Sequence, residues 1–144
     1  MSNLLPIQDI SSLIPQKVPF VMVDTLLEFS SENIKSSFTI KETNLFVEKD
    51  TFLEPGLIEN MAQTVALHTG YDFFLKGEQA PTGYIGSIKK AEVFKLPKCN
   101  EVIKTEAKIL HEFMGVTMVE TIVRNSRKEI IAQAQMKTVI VENA

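Results

Sequence analysis

The stretch from Pro55 to Gly77, PGLIENMAQTVALHTGYDFFLKG, constrains this fold more than any other. Proline suits a first helical turn, where its missing N–H costs nothing. Glycine at the far end tolerates the left-handed conformation that closes a last turn, and Lys76 beside it suits the dipole. No proline interrupts the run. At about 100° per residue, Ile58, Met61, Ala62, Val65, Leu67, Phe73 and Phe74 fall nearly all round. A helix apolar on most sides belongs inside a protein. Glu59, Gln63, Ala66 and Gly70 share one narrow face of it. A carboxylate and an amide, followed by the two smallest side chains, leave room beside a charge that is expensive to bury alone. Glu59 is therefore either a site carboxylate or an exposed first-turn acid favoured by the helix dipole.

The rest of the chain reads around this helix. Gln8 to Ile14 has the pattern of one or two helical turns, which Pro15 stops. Pro15 and Pro19 bracket a rigid loop. Phe20 to Phe29 reads as a strand covered on both faces, and Asn33 to Lys41 as its hairpin partner. Residues 42–54 form a polar loop carrying Phe46 and Phe52, with Glu48, Asp50 and Glu54 read as solvated. Beyond the helix, Gly83 to Lys95 is one long strand, and Gly86 within it marks a bulge or a close backbone approach. Glu101 to Phe113 places Ile103, Thr105, Ala107 and Ile109 on one face, and Met114-Gly115 turns the chain into Val116 to Arg124. A polar turn then leads to Ile130 to Val141, with Ile130, Ala132, Ala134 and Met136 on one face. Hairpin, one buried helix, then long strands is an α+β order, an antiparallel sheet wrapped around one central helix. Residues 1–144 read as a single domain.

Composition narrows the function. A hydrophobic share of 44% and a charged share of 23% are ordinary for a globular chain. The net charge of −3 is not that of a nucleic-acid binder. Cys99 is alone, and His68 and His111 lie far apart, so no metal cluster is legible and no cofactor is expected. No segment reaches the length of a membrane span, and the N-terminus has no basic leader, so the default location is the cytoplasm. Exposed sheet edges call for a homodimer or a higher oligomer.

Three segments now become specific. Ile14 to Asp24, IPQKVPFVMVD, is similar to the opening Leu-Pro-His-x-x-Pro-Phe-x-x-Val-Asp of the hotdog-fold 3-hydroxyacyl-acyl-carrier-protein dehydratases. Glu59 to Gln63, ENMAQ, resembles the Glu-x-Met-Ala-Gln that starts their central helix. Tyr84 to Pro97, YIGSIKKAEVFKLP, resembles their strand reading Gly-(x)-x-Lys-x-Ala-x-(Phe/x)-x-x-Pro. Met61 to Tyr71 is closest to the dehydratases of aryl polyene-type pathways. The resemblance implies dehydration of 3-hydroxyacyl thioesters on an acyl carrier protein, in fatty acid or polyene-like biosynthesis. It implies Glu59 as the acid–base carboxylate, with Gly56, Gln63 and Gly86 contacting the substrate. The acyl-phosphopantetheine arm of the carrier is the implied partner. Lys89, Lys90, Lys95 and Lys98 either meet that acidic carrier or form a solvated strand face.

One departure stands out. The family sets a catalytic His in the loop before the helix, and this loop, NLFVEKDTFLEPG, has none. Gln16 replaces another common His and cannot titrate. His68 lies roughly 180° round the helix from Glu59. Three outcomes follow: Glu59 does both proton transfers with a water, the chain is catalytically weak, or it supplies half of a mixed dimer with a His-bearing hotdog subunit. A non-catalytic or partner subunit that binds acyl thioesters is the non-enzyme alternative. An acyl thioesterase, which also uses a helix carboxylate, is the alternative chemistry.

Overall fold

The computed structural model describes residues 5–141. Strands β1 (Thr25–Ser30) and β2 (Asn33–Thr39) form a hairpin. Two short strands, β3 (Val47–Glu48) and β4 (Thr51–Phe52), lead into helix α1 (Glu54–Leu75). Four long strands follow: β5 (Thr82–Val93), β6 (Val102–Phe113), β7 (Val116–Arg124) and β8 (Ile130–Val141). The main sheet has six strands in the order β1-β2-β6-β7-β8-β5, and every neighbouring pair is antiparallel. This is the hotdog arrangement expected from the sequence. No helix among the described residues is long and apolar enough to cross a membrane.

Helix α1 lies against β2, β6 and β7. Between Gly56 and Phe73 every residue is buried or half-buried, which is why its apolar side chains run round the wheel. Pro55 stands in the first turn. Gly77 takes φ +70°, and the N–H groups of Gly77 and Glu78 close on the carbonyls of Phe74 and Phe73. Phe74 departs from expectation. It is half exposed and stacks on Tyr71.

The face of α1 toward the sheet is partly polar, and these groups satisfy one another. Asn60 donates to the Met22 carbonyl at 2.7 Å and accepts from the Thr105 hydroxyl. The Thr64 hydroxyl donates to the Asn60 carbonyl and lies 2.7 Å from that of Ser36. All of these side chains except Met22 are polar and buried, a state that is stable only with hydrogen-bond partners.

That polar face corrects the first strand. Expected from Phe20, the ladder begins at Thr25. Over residues 20–22 the backbone bonds to the helix instead: Gln63 takes the Met22 N–H and donates to the Phe20 carbonyl, and Asn60 holds the Met22 carbonyl. Phe20 is exposed rather than covered. The segment Gln8 to Ile14 makes a turn at residues 11–13, closed by Leu13 N–H on the Ile10 carbonyl, and no helix. Its hydrophobic side chains Ile10, Leu13 and Ile14 are buried in the core. The loop expected over 42–54 contains the β3–β4 pair, turned by Lys49 and Asp50, both at positive φ. Glu48, Asp50 and Glu54 are exposed, as read.

The meander β6-β7-β8 follows the alternation in sequence. Ile103, Thr105 and Ala107 are buried on one face of β6. In β8 the alternation begins at Ala132: Ile131 is buried and Ile130 exposed, because the register with β7 shifts at Arg124. Gly86 sits where the β5–β8 register shifts between Ile85 and Ser87, and a Cβ there would press on Val139. Edge strand β1 is met by a bridge from Ile7 to Leu26. Edge strand β5 is exposed along most of its length, Tyr84, Ile85 and Ile88 included.

Candidate functional site

A cleft of about 510 Å³ opens between α1, the loop at residues 12–16 and the start of β5. Glu59, Ala62, Ala66 and Gly70 form its helical wall, Gln16 faces in from the loop, and Tyr84 and Ile85 line the β5 side. The helical wall keeps Glu59, Ala66 and Gly70 of the narrow face read from the sequence, loses Gln63, and adds Ala62, Val65 and Thr69. Glu59 is half-buried and lines the cleft. It is the one carboxylate among the described lining residues.

Gln63 fixes Glu59. Its Nε2 donates to Glu59 Oε2 at 3.0 Å and to the Phe20 carbonyl at 2.9 Å, and its Oε1 accepts the Met22 N–H at 2.7 Å. Both amide hydrogens are thereby engaged, and the residue is fully buried. Gln63 lies beside the cleft lining rather than in it. Sequence spacing placed it correctly on the Glu59 face, but its three bonds tie loop to helix.

The two small residues serve different ends. Ala66 lines open space. At Gly70 the room is already filled: an added Cβ would overlap the Leu13 carbonyl. The glycine lets the loop backbone lie directly on the helix, and that loop carries Gln16.

Gly56 and Gly86 lie outside this cleft. Gly56 is buried in the first helical turn, where a Cβ would overlap the Phe52 ring. Its N–H bonds the Leu53 carbonyl at 3.0 Å. Gly86 is exposed on β5, next to the lining residue Ile85. His68 is on the far side of α1, its Nε2 2.8 Å from the Ser30 carbonyl and its ring stacked on Phe29. His111 is exposed on β6. Neither histidine reaches Glu59's cleft.

Asn60 was not singled out by sequence, although it anchors Met22 to the sheet beside the site. The only signal was a polar residue on a helix apolar all round. Met22 and Phe52 are core, and Phe20, Phe46, Phe73 and Phe74 do not line the cleft. Lys89, Lys90, Lys95 and Lys98 are exposed, with Lys95 paired to Glu129 and Lys98 donating to the Thr51 hydroxyl. Cys99 is half-buried, and partial burial, then the Asp50 carboxylate, holds its thiol pKa above the usual range. Among the described residues no group of three or more His, Cys, Asp or Glu gathers as a metal site.

A family model described as ApeP-like, ApeP dehydratase, matches residues 8–144. The chain belongs to the ApeP-like dehydratase family. The resemblance drawn from IPQKVPFVMVD, ENMAQ and the Tyr84 to Pro97 strand thus leads to the right family. Among solved structures, the ApeP-like chain is similar to the dehydratase heterocomplex ApeI:P from Xenorhabdus doucetiae, with a TM-score of 0.85 and 14% identity over 96% of this chain and 93% of that one. It is also similar to the uncharacterised protein PH1136 from Pyrococcus horikoshii, with a TM-score of 0.69 and 15% identity over 96% of each chain. A hypothetical thioesterase with coenzyme A from Streptococcus pneumoniae TIGR4 matches with a TM-score of 0.66 and 8% identity, over 82% of this chain and 85% of that one. At such identities these likenesses concern the ApeP-like fold. Comparison with curated protein sequences gave no match.

Proposed function

We propose that this ApeP-like dehydratase removes water from 3-hydroxyacyl thioesters held on an acyl carrier protein, with Glu59 as its acid–base carboxylate. The observation that carries the reading is the single carboxylate in the cleft, oriented by Gln63 at 3.0 Å. Elimination requires a base at C2 and an acid at the C3 oxygen. A carboxylate reaching both can take the C2 proton, leaving an enolate, then give that proton to the C3 oxygen as the C3–O bond breaks and the C2–C3 double bond forms. The products are an α,β-unsaturated thioester and water, and the carboxylate returns to its starting state. Negative charge gathers meanwhile on the thioester oxygen, which needs N–H donors. Gly56 and Gly86 were the expected backbone contacts, but both lie outside the cleft and the Gly56 N–H is already on the Leu53 carbonyl; Gln63 contributes by holding Glu59.

The absence of histidine from the cleft favours a second reading, in which the complete site is shared. In Xenorhabdus doucetiae the dehydratase ApeI:P is a heterocomplex. Here the exposed strand β5, which borders the cleft through Tyr84 and Ile85, offers an unpaired edge to a second hotdog chain. A His-bearing subunit pairing there would bring the missing proton-transfer group to Glu59. A homodimer uses the same edge without that group.

The test is incubation of the full chain with a 3-hydroxyacyl and a plain acyl carrier thioester, alone and mixed with a His-bearing hotdog subunit. Enoyl product is expected from the hydroxyacyl substrate, with Glu59→Gln slower by about 10² to 10⁴ and His68→Ala little changed. Glu59→Gln turning over at the parent rate would remove Glu59 from the mechanism. Hydrolysis of the plain thioester without enoyl formation would make the chain a thioesterase. Turnover only in the mixture would establish the shared site.

A further inference from the structure

Gln16 Oε1 is buried and has no hydrogen-bond partner within the described chain. It belongs to a residue lining the same cleft as Glu59. A buried acceptor left unpaired carries its full desolvation penalty, so such a group in a binding cleft is matched to a donor that arrives with the ligand.

The loop that carries Gln16 is held firmly on both sides. Before it, the Leu13 carbonyl rests on Gly70, and Ile10, Leu13 and Ile14 are buried. Lys17 Nζ closes the turn on the Ser11 carbonyl at 2.7 Å. After it, Gln63 and Asn60 grip Phe20 and Met22. The backbone is therefore ordered before any ligand arrives, and only the half-exposed Gln16 side chain has to turn for its shielded Oε1 to meet a donor in the cleft.

We infer that Gln16 is a specificity-determining residue that accepts a hydrogen bond from the substrate's 3-hydroxyl, an inference that rests on the dehydratase reading above. A hydroxyl has one hydrogen to donate and two lone pairs. With its hydrogen given to Gln16, its lone pairs are free to face Glu59, the acid that must protonate it. The glutamine cannot titrate, so it orients the leaving group without competing for the proton. Once water has left, the enoyl product has no donor at C3, and Oε1 is again unpaired. The same loss of a partner disfavours a saturated acyl chain and hastens product release.

Binding of non-reacting analogues tests this without relying on turnover. The probes are 3-hydroxyoctanoyl and octanoyl pantetheine amides, titrated calorimetrically into the full-length parent, Gln16→Leu and Gln16→His. The parent should prefer the hydroxylated amide by about tenfold. Gln16→Leu should erase that preference by weakening the hydroxylated amide alone, and the unchanged octanoyl affinity shows that the cleft is intact. Gln16→His, which restores a ring-nitrogen acceptor, should recover part of it. A parent that binds the two amides equally, or binds neither, overturns the assignment. So does a leucine variant that weakens both alike, since the acceptor would then serve the loop or the pantetheine arm. Retained preference with no turnover under any condition would instead count against the dehydratase reading and leave Gln16's contact standing.

Discussion

Gln63 Nε2 donates to Glu59 Oε2 at 3.0 Å, one helical turn away, while Gln63 Oε1 takes the N–H of Met22 at 2.7 Å. The same amide thus aims the carboxylate and sews the residue 20–22 segment to the helix. Gln63→Leu should leave the buried Met22 N–H unpaired, at about 1–3 kcal/mol, and take its partner from the Phe20 carbonyl. Urea unfolding should show a clearly lower midpoint, and a parent-like midpoint would mean that these bonds are not needed. Gln63→Glu should lose more activity than stability, because it puts a second carboxylate beside Glu59.

Gly70 should tolerate no side chain. A methyl group at this position meets the Leu13 carbonyl, which is backbone and cannot rotate away. Gly70→Ala gains helix propensity of roughly 1 kcal/mol but must push the loop off the helix, costing about 1–3 kcal/mol for overpacking. Net destabilisation is expected, together with faster amide exchange at Leu13, whose N–H closes the turn on Ile10. A stabilised Gly70→Ala variant with unchanged exchange would show that the loop does not lie on the helix.

Asn60 is the polar link between loop, helix and sheet. Asn60→Leu strands the Met22 carbonyl and removes the acceptor of the Thr105 hydroxyl. A loss of about 2–4 kcal/mol is expected from two unpaired buried groups. Pairing it with Thr105→Val should recover part of that loss, since both partners of one bond are then removed. Strict additivity in thermal unfolding would rule out the coupling.

Cys99 should be slow to alkylate. Its thiol pKa is raised, first by partial burial and then by the Asp50 carboxylate. A raised pKa lowers the reactive thiolate fraction at any pH below it. Iodoacetamide labelling at pH 8 should therefore lag a free model thiol and gain on it only as the pH climbs past the usual thiol range. Equal rates at pH 8 would contradict the shift.

The β5 edge should respond to charge. Ile88 is 40% exposed on that strand, within the edge proposed to receive a second hotdog chain. Ile88→Lys should shift the chain toward monomer in light scattering at micromolar concentration while leaving the fold intact by circular dichroism. An unchanged mass would move the interface elsewhere.

Strict periodicity carried the rest of the fold into the sequence. Strands β6 and β7 show their inward face as alternation, and α1 shows its burial as apolar residues all round the wheel, so both were legible within a residue or two. Family motifs then supplied the hotdog arrangement, and the helical wheel put Glu59, Gln63, Ala66 and Gly70 on one face. All of this follows from local geometry, because a helix or strand fixes where each side chain points. What Phe20 to Asp24 would do was not local: its apolar run fits a strand, and only the amides of Gln63 and Asn60, far along the chain, draw its backbone bonds away. The use of Gly70 and the unpaired Gln16 Oε1 were equally hidden, since a small residue reads the same whether it faces a void or a carbonyl, and a glutamine reads the same with or without a partner. Sequence by itself determined the central helix, the long strands after it and the helical face that carries Glu59. The tertiary structure alone decided which polar groups found one another, because hydrogen bonds between residues distant in sequence are settled only when the chain has packed.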